Sequence, residues 1–192
     1  MSGSGTTSTA IANRAVAEIA GQAQVAGLWP NFTGAGNVSG YCNILYQGVV
    51  NMVARQQDYE CFRAFASLVP TGNPAPAPFS YEYVYPPDCL KIRQIVPSTY
   101  DKNDPQPIQW SVLAGSGERV IATDVPPNEA QLVYTTSYPN VTEAEWDSLF
   151  QEAVVRVLAS ELSMAIAGRP DFSRVMLEQG GQLIGAGAGK DS

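Results

Sequence analysis

Residues 142–168 have the sequence TEAEWDSLFQEAVVRVLASELSMAIAG, in which apolar side chains recur with the spacing of one helix face. Thr142 and Glu145 form a capping-box pattern, in which each side chain satisfies a backbone amide at the start of a helix. Gly168 and Pro170 end the pattern, because glycine favours and proline enforces the end of a helix. The spacing therefore predicts a long helix over residues 142–167. Its structural core is predicted to contain Trp146, Phe150, Leu158 and Leu162.

Three further segments show the same helical spacing. They predict helices over residues 9–20, 39–57 and 171–179. Between the first two lies a loop rich in Gly, Pro and Asn that contains Trp29 and Phe32. These two aromatic side chains either pack back onto a helix or anchor an interface with another molecule.

The middle of the chain changes from helical to alternating spacing. Residues 79–85 alternate aromatic and polar side chains, and Gly115-Ser116-Gly117 separates two apolar runs in the manner of a hairpin. Residues 58–67 are predicted to form a short helix or turn. We therefore expect an antiparallel β module over residues 79–137, inserted among the helices.

Together these segments predict an α+β fold that is mainly helical. It would be a helical bundle with a small inserted antiparallel β module and an extended C-terminal tail. Residues 1–9 are expected to form a flexible leader, residues 10–179 a single domain and residues 180–192 a flexible tail. The tail is rich in Gly and Ala and has too little apolar surface to fold by itself.

The charge of the chain argues against a surface that grips nucleic acid. The formal net charge is -7, from 11 basic and 18 acidic residues, whereas phosphate binding needs clustered Lys and Arg. Only 15% of the residues are charged, and a surface poor in charge is typical of proteins that contact other proteins. No apolar run approaches the length that spans a bilayer. The composition therefore predicts protein partners and no membrane contact.

The absence of histidine is the strongest argument against an enzyme. It removes imidazole acid–base catalysis, Ser-His and Cys-His nucleophiles and most catalytic zinc sites. Asp101, Asp104 and Asp124 lack a ligand spacing and are expected in solvated turns, and the three widely spaced cysteines are expected as reduced, buried thiols. The Gly-rich segment 185–190 lacks the Ser or Thr that follows the lysine of a phosphate loop. No catalytic, cofactor-binding or metal site is predicted, and no cofactor.

Three segments, taken in order, resemble one protein family. Residues 11–21, IANRAVAEIAG, are similar to an opening helix of the N-x-x-L-x-x-I-G kind. Residues 83–93, YVYPPDCLKIR, are similar to the pattern Y-x-Y-P-x-D-C-L-x-I-R that begins a sheet. Residues 146–168 resemble a closing helix with Trp, Phe and Ala at set intervals. This order resembles the head-to-tail adaptors (tail tubular protein A type) of short-tailed bacteriophages, the podoviruses.

The resemblance implies a structural virion protein and not an enzyme. In that family the copies form a homo-oligomeric ring beneath the portal protein, dodecameric by this resemblance. The ring connects the portal to the tail nozzle protein, offers attachment for tail fibres and has a channel through which DNA passes as cargo during ejection. The protein would be assembled in the host cytoplasm and located in the tail or neck of the virion.

Two other functions stay open from the residues. One is a different phage neck or capsid-accessory protein, which would share the low charge and the α+β pattern. The other is a lysis hydrolase that uses a pair of carboxylates, although no Glu–Asp pair in an aromatic setting stands out.

The C-terminal tail contains two isolated aliphatic residues, Leu183 and Ile184, preceded by Phe172. A segment of this kind can become ordered on a partner, and these three residues are therefore candidates for docking on the portal. The alternative is a plain disordered end.

Overall fold

The computed structural model describes residues 6–20, 24–34, 36–97, 108–115, 118–168 and 170–187. In these ranges the chain forms four α-helices and two three-stranded antiparallel sheets, with 46% of residues helical and 24% in strands. Because the strand content is half of the helical content, the fold is a mixed α+β fold. The prediction of a mainly helical bundle with a small β module and an extended tail is wrong.

The chain divides into two compact units. A helical unit consists of Met1–Cys61 and Ser137–Ser192, so it uses both ends of the chain. A β unit consists of the segment between them, Phe62–Thr136.

The helical unit is organised around one central helix. Its helices are α1 (Ser8–Ala20), α2 (Asn37–Gln56), α3 (Ser148–Leu162) and α4 (Pro170–Gly187). Helices α1, α2 and α4 each pack against α3, and α3 is accordingly apolar on most of its circumference. The residues predicted for its core lie in or beside this helix and are buried: Trp146, Phe150, Leu158 and Leu162.

The predicted helix 142–167 is interrupted at both ends. Thr142 and Glu145 do interact, since the Thr142 amide and hydroxyl both donate to Oε2 of Glu145, each at 2.8 Å. They cap only a 3₁₀ turn, Glu143–Glu145, after which Trp146 is extended. Asp147 then caps α3 by accepting a hydrogen bond from the Phe150 amide at 2.8 Å. At the other end the chain forms a π-helical turn, Ser163–Ala167, before the left-handed Gly168.

The predicted flexible tail is largely helical. Helix α4 begins with Pro170, a favourable first residue for a helix, and continues to Gly187 through four glycines. The Cα of Gly180 lies so close to α3 that a Cβ there would be 2.9 Å from Cγ2 of Val157. Packing against α3 therefore compensates for the low helix propensity of the segment. Residues 188–192 lie outside the described residues, as do residues 1–5 of the predicted leader; Ser8 already belongs to α1.

The β unit contains two sheets that share one hydrophobic core. Its strands are β1 (Arg63–Ser67), β2 (Tyr81–Val84), β3 (Cys89–Pro97), β4 (Trp110–Gly115), β5 (Glu118–Thr123) and β6 (Ala130–Thr136). One sheet has the order β1-β6-β3 and the other β2-β5-β4, with antiparallel pairing throughout. Tyr83 and Ile121 from one sheet and Ile92, Leu132 and Tyr134 from the other contribute to the common core.

Strand β1 is the element that the sequence pattern missed. Residues 58–67 were expected to form a helix or turn, but only Glu60–Phe62 forms a 3₁₀ turn. The following residues pair with β6, with Phe65 opposite Val133. Alanine has a low strand propensity, so the strand exists because β6 offers a pairing edge. This extra strand is one reason why the β content exceeds the prediction.

Candidate functional site

The helical unit contains an aromatic cluster joined to one carboxylate. Seven rings meet edge to face, with centroids 4.7–5.9 Å apart. The cluster consists of Trp29, Phe32, Tyr46, Tyr59, Tyr138, Trp146 and Phe150. Edge-to-face pairs of this kind add about 0.5–1.5 kcal/mol each beyond simple burial. The two loop aromatics, Trp29 and Phe32, thus pack back onto the helices.

Glu143 joins this cluster through its Oε1 atom. That oxygen accepts hydrogen bonds from the hydroxyls of Tyr46, at 3.1 Å, and Tyr138, at 2.7 Å. Burial, together with the adjacent Glu143 carboxylate, raises the pKa of Tyr46 and of Tyr138 well above the ordinary value. Both phenols therefore stay protonated and act as donors at neutral pH. A phenol held in this way is a structural donor and a poor general base.

Side-chain amides fasten the loops of the helical unit. Asn13 of α1 accepts from the Val25 amide at 2.7 Å and donates to the Val25 carbonyl at 3.0 Å. Asn43 of α2 makes the same pair of bonds with Phe32, at 2.8 and 3.0 Å. Each amide thus replaces the two backbone bonds that a neighbouring strand would supply.

The segment before α3 is held by two residues of α2 in a similar way. Asn51 accepts from the Tyr138 amide at 2.8 Å, and Gln47 donates to the Tyr138 carbonyl at 2.9 Å. Asn13 belongs to the opening-helix motif, so this motif residue has a structural contact. The contacts of Asn43, Gln47 and Asn51 were not predicted, because amides in a helix sequence do not reveal which loop they reach.

Of the acidic residues considered as metal ligands, Asp124 lies in the part of the chain that the structure describes. Asp124 accepts hydrogen bonds from the amide and hydroxyl of Ser80, both at 2.9 Å, and so joins the ends of the paired strands β2 and β5. Asp101, Asp104 and residues 188–190 of the Gly-rich segment lie outside the described residues. Within the described ranges, no three His, Cys, Asp or Glu side chains are grouped so that they could hold a metal ion.

The cysteines are free thiols in protected positions. Cys42 and Cys89 are buried, and Cys61 is half-buried. Burial raises the pKa of the Cys42 thiol to about 11 and also raises that of Cys89. Because the thiolate is the reactive form, these two residues are poor nucleophiles at neutral pH.

The described surface exposes many large apolar side chains. The most exposed are Ile44 at 76%, Phe65 at 63%, Leu28 at 58% and Val69 at 57%. On α2, Ile44 is accompanied by the exposed residues Tyr41 and Met52. This exposure was not predicted residue by residue, although the absence of charge between Asn37 and Ala54 was visible in the sequence.

The residues predicted to dock on the portal lie in α4. Phe172 is in its first turn, and Leu183 and Ile184 are near its end; all three are half-buried. They are therefore part of a packed helix and not isolated anchors in a flexible tail. Their docking role stays a prediction.

None of the described helices combines the length and apolarity needed to cross a membrane.

The sequence was compared with known proteins in two ways. It matches no known protein-family model, and a search of curated proteins found no relative.

Proposed function

We propose that this chain is a ring-forming structural subunit of a bacteriophage neck, of the head-to-tail adaptor type. The ring would connect the portal to the tail nozzle and surround a channel through which DNA passes. The proposal starts from the three segments that resemble podoviral adaptors, in their order along the chain. Tail-fibre attachment and a location in the virion follow from the same resemblance.

The observation that carries the proposal is the amount of exposed apolar surface. Single exposed hydrophobic residues are normal on a monomer. Here apolar side chains are at least a third exposed on α2, on α4 and on two strands of the β unit, among them Ile44, Val175, Leu177, Phe65 and Val84. With only 15% of residues charged, such a surface favours a subunit that other protein chains cover.

The residues of the three motifs support a structural role. Asn13 holds a loop, and Tyr83 and Ile92 are buried in the core of the β unit. Trp146 and Phe150 belong to the aromatic cluster. Through these contacts the residues build the scaffold of their units.

The test combines the purified chain with the portal protein of the same phage. We expect a monomer or small oligomer alone and a ring seated on the portal when both are mixed, seen by electron microscopy and sedimentation velocity. Failure to associate with the portal at micromolar concentration would contradict the proposal. A cell-wall turbidity assay on the same sample distinguishes the hydrolase alternative, which predicts clearing.

A further inference from the structure

One side of α2 is exposed and carries no charge before its last turn. Gly40, Tyr41, Ile44, Gly48 and Met52, here called the outer face of α2, are the exposed residues at the middle of the helix. At 100° per residue they fall within about one third of the helix circumference. The solvent side of a surface helix normally carries charged residues, but α2 has a single one, Arg55, which lies on this same side in the last turn, beyond the outer face.

The outer face is uneven, because two glycines leave open space on either side of Ile44. Gly40 and Gly48 lie one turn before and one turn after Ile44, and a Cβ at either glycine would meet nothing within 4 Å. Beside Gly40 is an open depression of about 490 Å³, which Tyr41 and Ile44 also line. Packing within the chain therefore does not require glycine at positions 40 and 48, whereas close approach of another protein surface would.

The charge of the chain indicates which kind of partner binds this face. A nucleic acid needs cations that the face lacks, and an anionic membrane repels a chain of net charge -7. A basic partner would be attracted to the acidic surface elsewhere. Two copies of this acidic chain repel each other least where the contact carries no charge.

We propose that the outer face of α2 is where a neighbouring copy of this chain docks. The proposal rests on the ring proposed above and names one side of its subunit contact. In a ring the contact joins unlike surfaces, so the neighbour meets this face with a different part of its own surface.

The size of the face fits assembly on a template. Residues 40–52 span about 20 Å of helix, so a strip about 10 Å wide covers roughly 200 Å², against about 800 Å² per partner in a stable interface. The face alone is thus too small for a stable dimer in solution. Neighbouring copies would need further contacts, which a template can align.

The experiment places a photo-crosslinking amino acid at position 44, with position 161 of α3, an exposed and charged position, as the control. In rings assembled on the portal, we expect position 44 to crosslink to a second copy of the chain and position 161 not to do so. Ile44→Asp should lower ring yield roughly tenfold while circular dichroism stays unchanged. Gly48→Gln should raise the melting temperature of the isolated chain and yet lower ring yield, a combination that a purely structural role would not give.

The outcomes separate the two proposals. If wild-type chain forms no ring on the portal, the proposed function fails. If wild-type rings form and Ile44→Asp rings form equally well, or position 44 crosslinks only to portal or nozzle, the function stands and the α2 contact is overturned.

Discussion

Single side chains stabilise the helical unit in two distinct ways. Leu158 contributes by burial, since it has no exposed surface at the centre of α3. Asn13 and Asn43 contribute by satisfying the backbone groups of loops, which would otherwise lose hydrogen bonds on leaving water. The first kind tolerates little change in volume, and the second tolerates little change in polarity.

The cost of truncating Leu158 should be large. Leu158→Ala removes buried methyl groups and leaves a cavity, so we expect a loss of about 2–5 kcal/mol in the free energy of unfolding. Leu177→Ala is the matched control, because Leu177 is 50% exposed on α4. Chemical denaturation of both variants measures the difference. Equal small losses would mean that the side chain of Leu158 is not buried in the core.

The buried phenols predict a loss of stability at alkaline pH. Burial raises the pKa of Tyr59 and of Tyr134 to about 12, from an ordinary value of 10.0, and raises those of Tyr46, Tyr83 and Tyr138. The unfolded chain then loses protons at a lower pH than the folded chain. The stabilising contribution is therefore complete below pH 10 and is lost as the pH rises through the folded pKa values.

Two measurements check this prediction. Spectrophotometric titration should show the phenols of these five tyrosines losing their protons above the ordinary pKa of 10.0. The free energy of unfolding of the wild-type chain should fall above pH 10. That of the Tyr59→Phe variant should fall less steeply, because one buried phenol has been removed. A free energy of unfolding that stays constant between neutral pH and pH 11 would contradict the burial of these phenols. The Cys42 thiol also titrates in this range.

Among the elements, α3 and α4 depend on close backbone contact. The Ser160 hydroxyl lies 2.9 Å from both the carbonyl oxygen and the Oγ of Ser173, and Gly180 touches Val157 farther along. A pair of helices that approach this closely needs small residues at the crossing. The glycine that weakens α4 as an isolated helix is therefore the residue that permits it to pack.

Adjacent glycines of α4 should respond in opposite ways to substitution. Gly181 is exposed with open space at its Cβ position, so Gly181→Ala should stabilise the chain by about 0.5–1 kcal/mol. A side chain at Gly180 would collide with Val157, and Gly180→Leu should cost about 1–3 kcal/mol. Thermal unfolding of the two variants gives the comparison. Equal stabilisation by both would show that α4 does not pack on α3 at this point.

An ion-pair network connects α1 with α3. Arg14 pairs with Glu152, and Arg156 pairs with both Glu152, at 3.0 Å, and Glu18, at 3.3 Å. The four side chains are partly exposed, so solvent and salt weaken the contribution of each pair. The network pairs two arginines with two glutamates and is neutral as a whole.

For the molecule as a whole, the charge predicts little affinity for DNA. The chain has net charge -7, and repulsion from phosphate suits a channel wall that lets DNA pass better than one that holds it. We expect no shift of duplex DNA in a gel with low micromolar protein at physiological salt. A shift that disappears as salt increases would reveal a basic surface and contradict this prediction.

Local sequence determined the elements whose pattern is complete within one segment. The buried side of α3, the α2 helix and the hairpin of β4 and β5 follow from helical spacing, alternation and a Gly-Ser-Gly turn, because each pattern reflects one element facing one core. The net charge and the absence of histidine were likewise fixed by composition alone. None of these needed information about distant residues.

Tertiary contacts determined the rest. Strand β1 forms because β6 offers an edge, α4 persists through its glycines because α3 lies alongside, and Asp147 caps α3 because Trp146 turns into the aromatic cluster. Asn43 holds Phe32 across a loop whose path no local spacing encodes. Pairing and burial between segments far apart in the chain outweigh local propensities of about 1 kcal/mol, so local patterns could not place these features.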